Sequence, residues 1–382
     1  GRLARARRWL ATGAALWPIA AAQALPPTPN VVAGAASYNT IAAPTPTATV
    51  TQTSARAVLE WSSLSLTPGE TLNFVQPDRN SVTLNRIVGL NALDPPPPSQ
   101  IDGTINANGQ IWFLNRSGIF MGPDAQINAA GFLATTGSVD TAAFMSGTGP
   151  LTISGATGAP IINAGSIAVT GGYAVLAGTA VDNVTGIGAN TPALISANLG
   201  SIVLGSGTAF TVDFAGDQLV SFLITSPVTG NAISRVTNTG SLIADGGTIL
   251  MQARAAADIV GSVINTTGLV QAKSVAVRGG TITLDAGPVG VNMGMDPFIV
   301  LEGPEAILDT SGVGPGGNVN LLGNVIVDTN ASVLSSKDIV INGTVNSGFP
   351  GAGSLILAAP TGTVTVADDI GGLSPLGSVQ AT

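Results

Sequence analysis

The chain has 382 residues, 45% hydrophobic, 9% charged and 4% aromatic, with 50 Gly, 24 Pro, a formal net charge of −8, and neither Cys nor His. Average globular chains carry roughly 25% charged residues, so this one is short of charge yet apolar enough to bury a large core. The missing residue types exclude a disulfide framework, thiolate zinc sites, a Ser-His-Asp triad and imidazole ligands, and the acidic balance argues against nucleic acid, which wants a basic face.

Arg2, Arg5, Arg7 and Arg8 precede an apolar run from Trp9 to Ala22, which closes on Ala22-Gln23-Ala24. Basic, apolar and small-residue segments in that order predict a secretory signal peptide over 1–24, cleaved after Ala24. An amphipathic surface helix would spread its arginines around the helix, whereas here they are segregated along the chain. No later stretch offers the ~20 apolar residues of a membrane helix. An exported chain without Cys fits two readings: it stays unfolded across an oxidising compartment before a second membrane, or its fold needs no staples.

From Asn30 onward the chain is a succession of short β-type runs, such as Ser201–Leu204, Thr248–Met251, Thr281–Leu284 and Ser354–Leu357, separated by Gly, Asn, Asp and Ser. Val, Ile, Thr and Leu dominate, and no segment beyond the signal sustains a helical apolar period. The fold class is all-β. Asn163-Ala-Gly165-Ser-Ile167 leads to Gly171-Gly172, and Asn238-Thr-Gly240-Ser-Leu242 leads to Gly246-Gly247 with the same spacing. Looser copies begin at Asn265 and Asn342.

Degenerate repeats of strand and small-residue turn predict a solenoid, each coil hiding its inward aliphatics against its neighbours. Turn asparagines at matching positions would form amide ladders between coils, and at ~20–25 residues per coil roughly 14–18 coils would fit if all of the mature length were helical. The competing architecture is an antiparallel sandwich or barrel. It calls for more Asn-Gly hairpin signals than Asn108-Gly109 and Asn342-Gly343.

Several blocks then carry a resemblance. They are Asn30–Gly34, Ala57–Leu64 with Trp61, Pro68–Pro77 containing Gly69-Glu70 and Phe74, Leu84–Gly89, and above all Ile105–Asn128, continuing to Thr136. Taken in order, and with Asn238–Val270 downstream, they resemble the N-terminal secretion domain of the filamentous haemagglutinin family, the exported partners of two-partner secretion systems. That resemblance implies a right-handed parallel β-helix with an N-terminal cap and extra-helical hairpins. It also implies transport by an outer-membrane β-barrel with periplasmic binding modules, and an adhesive product at the cell surface or released. The expected division is a signal over 1–24, a two-partner secretion domain over 25–272, and continuing β-helix repeats over 273–382. Where the family has Asn-Pro-Asn-Gly this chain has Asn115-Arg116-Ser117-Gly118. Asn and Gly still suit a type I turn, and losing the proline costs about 0.4–1 kcal/mol of pre-organisation. The Asp94–Pro98 run reads as an extended, exposed loop.

The candidate transporter-recognition residues are Asn115, Arg116, Ser117 and Gly118, with Asn85 and Arg86. An unfolded segment there would add as a strand to the transporter's periplasmic modules; otherwise the same residues only shape a turn. Asp368-Asp369, Asp213 with Asp217, and Asp245 read as solvated turn carboxylates. No catalytic, metal or cofactor residue is expected. The rival reading is a β-helix carbohydrate-active enzyme, a polysaccharide lyase or hydrolase, whose chemistry needs carboxylates converging across one bond. The fold alone cannot confer it.

Overall fold

The computed structural model describes residues 25–382 apart from 91–93, 187–191, 215–219, 230–233, 256–262, 276–277, 288–297, 303–305 and 313. The expected signal peptide therefore lies outside the described residues.

Three long sheets of 12, 9 and 13 strands run side by side, and a smaller one of four strands lies outside them. The chain visits the three long sheets in turn, so that strands stack in parallel on the previous pass, as Gly131–Thr135 does on Gln110–Leu114. This is a parallel β-helix of triangular section. Its interior is a single apolar column from Ala48 to Ala359. Where one face of a strand meets solvent, burial alternates, as in Ser166–Val169.

Two antiparallel strands seal the amino end. Asn30–Ala33 (β1) pairs with Arg56–Trp61, and Ala36–Ile41 (β2) pairs with Thr47–Gln52. Both cover edges that would otherwise offer unpaired backbone groups.

Rungs are fewer and more unequal than a fixed period predicts. Among the described residues the first sheet holds eleven parallel strands beyond its antiparallel cap, below the roughly 14–18 coils that would fit were the whole length helical. Successive partners lie 21 residues apart from Gln110 to Gly131, but 47 apart from Ser201 to Thr248. The long intervals hold insertions that leave the helix. Ser138–Val139, Leu151–Ser154, Ala209–Asp213 and Ser221–Ser226 pair antiparallel as the fourth sheet.

One insertion also holds the helix α1 (Thr141–Ser146), which departs from the expectation of no helix past the signal. Asp140 caps it by accepting from the Ala143 N–H, and Gly147 ends it at φ 68°. Six residues with one buried side chain, Phe144, are too few for a helical period to register.

These insertions give the first sheet a second core on its outer side. Val58, Leu84, Trp112, Leu133, Val175 and Val203 pack there against Phe144, Ile153 and Phe210. Buried on both faces, strands such as Tyr173–Gly178 and Ser201–Ser206 show no alternation.

The repeats become ladders. Asn163, Asn183 and Asn238 occupy one register position, each wholly buried. Asn163 Nδ2 donates to Asn183 Oδ1 at 2.8 Å, and Asn183 Nδ2 to Asn238 Oδ1 at 2.8 Å. The second glycines of the two Gly-Gly pairs, Gly172 and Gly247, stack likewise with Gly200 between them. A Cβ on Gly200 would meet the Gly172 carbonyl oxygen at 1.8 Å, and one on Gly247 the Gly200 oxygen at 2.1 Å.

Candidate functional site

The expected recognition residues converge on one corner of the helix. Asn85 and Arg86 sit on strand Val82–Ile87, in register with Phe113 and Leu114, just before Asn115 on the next rung. The two motifs, separate in sequence, are neighbours in space.

Asn115 forms the hub of the corner. Its carbonyl accepts from the Gly118 N–H at 3.0 Å and its Oδ1 from the Ser117 N–H at 3.0 Å, so the expected turn forms without proline. Gly118 takes φ 103°, a conformation that favours glycine. Asn115 Nδ2 donates to the Pro97 carbonyl at 2.9 Å and to Ser99 Oγ at 3.0 Å, while its N–H donates to Thr135 O at 3.0 Å. With no exposed surface, the side chain ties its turn to the proline-rich loop and to the rungs on either side. That loop is exposed except at Pro96.

Arg116 points outward, its guanidinium reaching the Asp94 carbonyl at 3.3 Å, and Ser117 is half-buried. Asn85 is buried inside the helix, where its Oδ1 accepts from Trp61 Nε1 at 3.0 Å and its Nδ2 donates to Trp112 O at 3.3 Å. Arg86 points to the outer core. It pairs with Glu60 at 3.1 Å and donates to Val139 O and Thr141 Oγ1, both at 3.0 Å, anchoring the start of α1. In the folded protein, then, Asn85, Arg86 and Asn115 hold the corner together, and Arg116 with part of Ser117 is what it shows to solvent.

The acidic residues are mostly committed to cations or turns. Asp182 receives Arg235 through two bonds of 2.9 and 2.6 Å, Asp285 receives Arg254, and Lys273 lies 3.4 Å from Asp309. Asp245 is more than a solvated turn residue. It accepts from Gln271 Nε2 at 3.0 Å and from the Lys273 N–H at 2.9 Å on the next rung. Asp102 lies near Asp124, and burial followed by that neighbour's charge raises its pKa. Among the described residues no three His, Cys, Asp or Glu gather as a metal site. A shallow open groove of roughly 760 Å³ on the third sheet has no carboxylate in its lining.

In class, then, this is a capped parallel β-helix with antiparallel insertions packed on one of its sheets. The chain belongs to the TPS secretion domain family, whose model matches residues 22–295, and so carries the secretion domain of a two-partner-secretion exoprotein. Two curated relatives are each a "Heme/hemopexin-binding protein". One, from Haemophilus influenzae (strain ATCC 51907 / DSM 11121 / KW20 / Rd), is 37% identical over 117 residues, 31% of this chain and 12% of that protein. The other, from Haemophilus influenzae, is 38% identical over 88 residues, 23% of this chain and 9% of that protein. The matched segments thus span only about a tenth of those relatives. The crystal structure of the HMW1 secretion domain from Haemophilus influenzae aligns with 93% of this chain and 99% of its own, with a TM-score of 0.60 at 21% identity. That likeness is one of fold.

Proposed function

We propose that this chain is exported behind a signal peptide over 1–24, recognised in the periplasm by a dedicated outer-membrane β-barrel transporter, and displayed or released as a non-enzymatic adhesin. In this reading residues 25–272 form the secretion domain and 273–382 extend the shaft. The family membership carries it.

Recognition is assigned to Asn115, Arg116, Ser117 and Gly118 with Asn85 and Arg86, read while the chain is still extended. The supporting observation is burial: once the helix closes, the Asn85 and Asn115 side chains have no exposed surface. They are therefore available to a partner only before folding, when strand addition to a sheet edge is open to them.

Haem capture, suggested by the names of the two relatives, draws less support from this segment. The chain has no His or Cys. Its two tyrosines are engaged, Tyr38 with the Pro26 carbonyl and Tyr173 with Gln110 and Trp112. The groove on the third sheet has no carboxylate in its lining and lends the enzyme reading no support.

The test is export in cells carrying the cognate transporter. Asn115→Ala with Gly118→Ala should cut surface and medium protein at least about tenfold while the periplasmic pool persists or is degraded. Undiminished export would remove the recognition assignment and leave the turn as architecture.

A further inference from the structure

We propose that the outer face of the third sheet, over its first rungs, binds an extended neutral polysaccharide lying along the helix axis. This rests on the reading of the chain as a binding protein displayed outside the cell.

The face is a lattice of uncharged hydrogen-bonding groups. Thr49, Asn73, Asn106 and Asn128 share one register position on four successive strands. Thr71 and Thr104 form the adjoining column two residues away. Rungs repeat at ~4.8 Å and alternate residues along a strand at ~6.6–6.8 Å. Asn106 Nδ2 donates to Asn73 Oδ1 at 3.1 Å, and Asn128 Nδ2 to Asn106 Oδ1 at 3.1 Å. Each amide nitrogen carries two hydrogens, so after serving the ladder Asn106 and Asn128 each keep one to offer outward. The amides are locked in a row and lose little entropy on engaging a ligand.

The open groove on this face is lined by those asparagines; Ala168 continues their column on the next rung, while Ala107 and Ala129 form its floor against the interior. Val75, half exposed, stands at its margin. A row of amide donors over an apolar floor, with Ala168 at one end and Val75 at the margin, matches a sugar polymer, which carries hydroxyls around its ring edges and C–H groups on its faces. One hexopyranose unit of an extended chain advances by about one rung.

Charge narrows the class. Arg79 is the one charged residue lining the groove, and its guanidinium is held by the carbonyls of Thr170 at 2.9 Å and Gly171 at 3.2 Å. With a formal net charge of −8 the chain as a whole repels polyanions. A protein partner would want an aromatic anchor, yet Phe74, the aromatic in the lining, is buried.

Isothermal titration of the full-length secreted protein with cellohexaose and with chitohexaose tests this, with a hexamer of galacturonate as the acidic control. At least one neutral hexamer should bind with Kd at or below about 1 mM. Asn73→Ala, Asn106→Ala and Asn128→Ala together should weaken it at least about tenfold with an unchanged thermal midpoint. Thr71→Val with Thr104→Val, which keeps side-chain shape, should weaken it about threefold or more and serves if the triple variant folds poorly. Absence of binding by both neutral hexamers, equal binding of the acidic one, or wild-type affinity in both variants overturns the proposal. So does sedimentation showing a dimer that the triple variant abolishes while no sugar binds, which would make the face a contact between copies. The assay uses purified protein, so an export defect leaves its outcome unaffected.

Discussion

Asn85 offers the sharpest test of how structure and export share one residue. Its Oδ1 is the acceptor for Trp61 Nε1 at 3.0 Å, and both side chains are wholly buried. Asn85→Leu keeps the branching of the side chain, with bulkier ends, but strands the indole N–H, and an unsatisfied buried donor costs about 1–3 kcal/mol on top of any overpacking. Asn85→Ala adds a small cavity, bringing the loss to about 3–4 kcal/mol. In a Trp61→Phe background there is no indole N–H to strand, so Asn85→Leu should then cost at least about 1 kcal/mol less than in the parent, the lost Nδ2 bond to Trp112 O being common to both. The four proteins of this cycle are compared by guanidinium unfolding, with hydrogen exchange of strands Arg56–Trp61 and Val82–Ile87 as a local readout, because a solenoid unfolds regionally. Equal cost of Asn85→Leu in both backgrounds would refute the pairing argument. The double variant also isolates export. Its fold is intact but Asn85 is absent, so recognition of the extended chain predicts reduced export, whereas wild-type export would strike Asn85 from the recognised set.

Other perturbations probe the shaft. Gly200→Ala drives a Cβ to within 1.8 Å of the Gly172 carbonyl and should prevent native rung spacing there, while Gly158→Ala, with nothing within 4 Å, should leave the melting temperature unchanged; equal melting of the two variants would contradict the close-stacking account. Arg235→Met strands Asp182, whose side chain is only 7% exposed, and should cost about 2–3 kcal/mol, discounted from the fully buried case because Arg235 is itself 29% exposed. Adding Asp182→Asn should recover most of it, and no recovery would point to packing in place of charge. Burial, and then Glu70, push the Tyr38 hydroxyl up to about 12, and burial pushes Tyr173 up as well. Because both folded values lie above the unfolded one, their contribution is complete below about pH 10 and is lost as pH rises through about 12. With only two tyrosines in the chain, tyrosinate absorbance should stay low until stability falls. A rise near pH 10 with native circular dichroism would contradict this.

The sequence disclosed the fold through composition and repetition. Asn163, Asn238 and the paired glycines recur because stacked backbones demand small turns and matched amides, and a demand repeated at every rung leaves a visible pattern. What happens once leaves none. Insertion lengths hid the rung count, and six residues with one buried side chain hid α1. One signal was present: Val203 and Val175 lie in runs apolar at both parities, which marks a sheet covered on both sides and so an outer layer. Asn85, Arg86 and Asn115, grouped as candidates from the sequence, are neighbours in the folded chain. Their burial was not legible, because a polar residue in a turn motif looks the same whether it faces water or seals a seam.

The antiparallel strands β1 and β2 give the molecule a finished end and an unfinished direction. A strand entering such a stack finds its register dictated by the one already in place, so order spreads away from the lid like a zipper from its stop. Threaded amino end first, the polypeptide would deliver its own template before the material to be aligned on it.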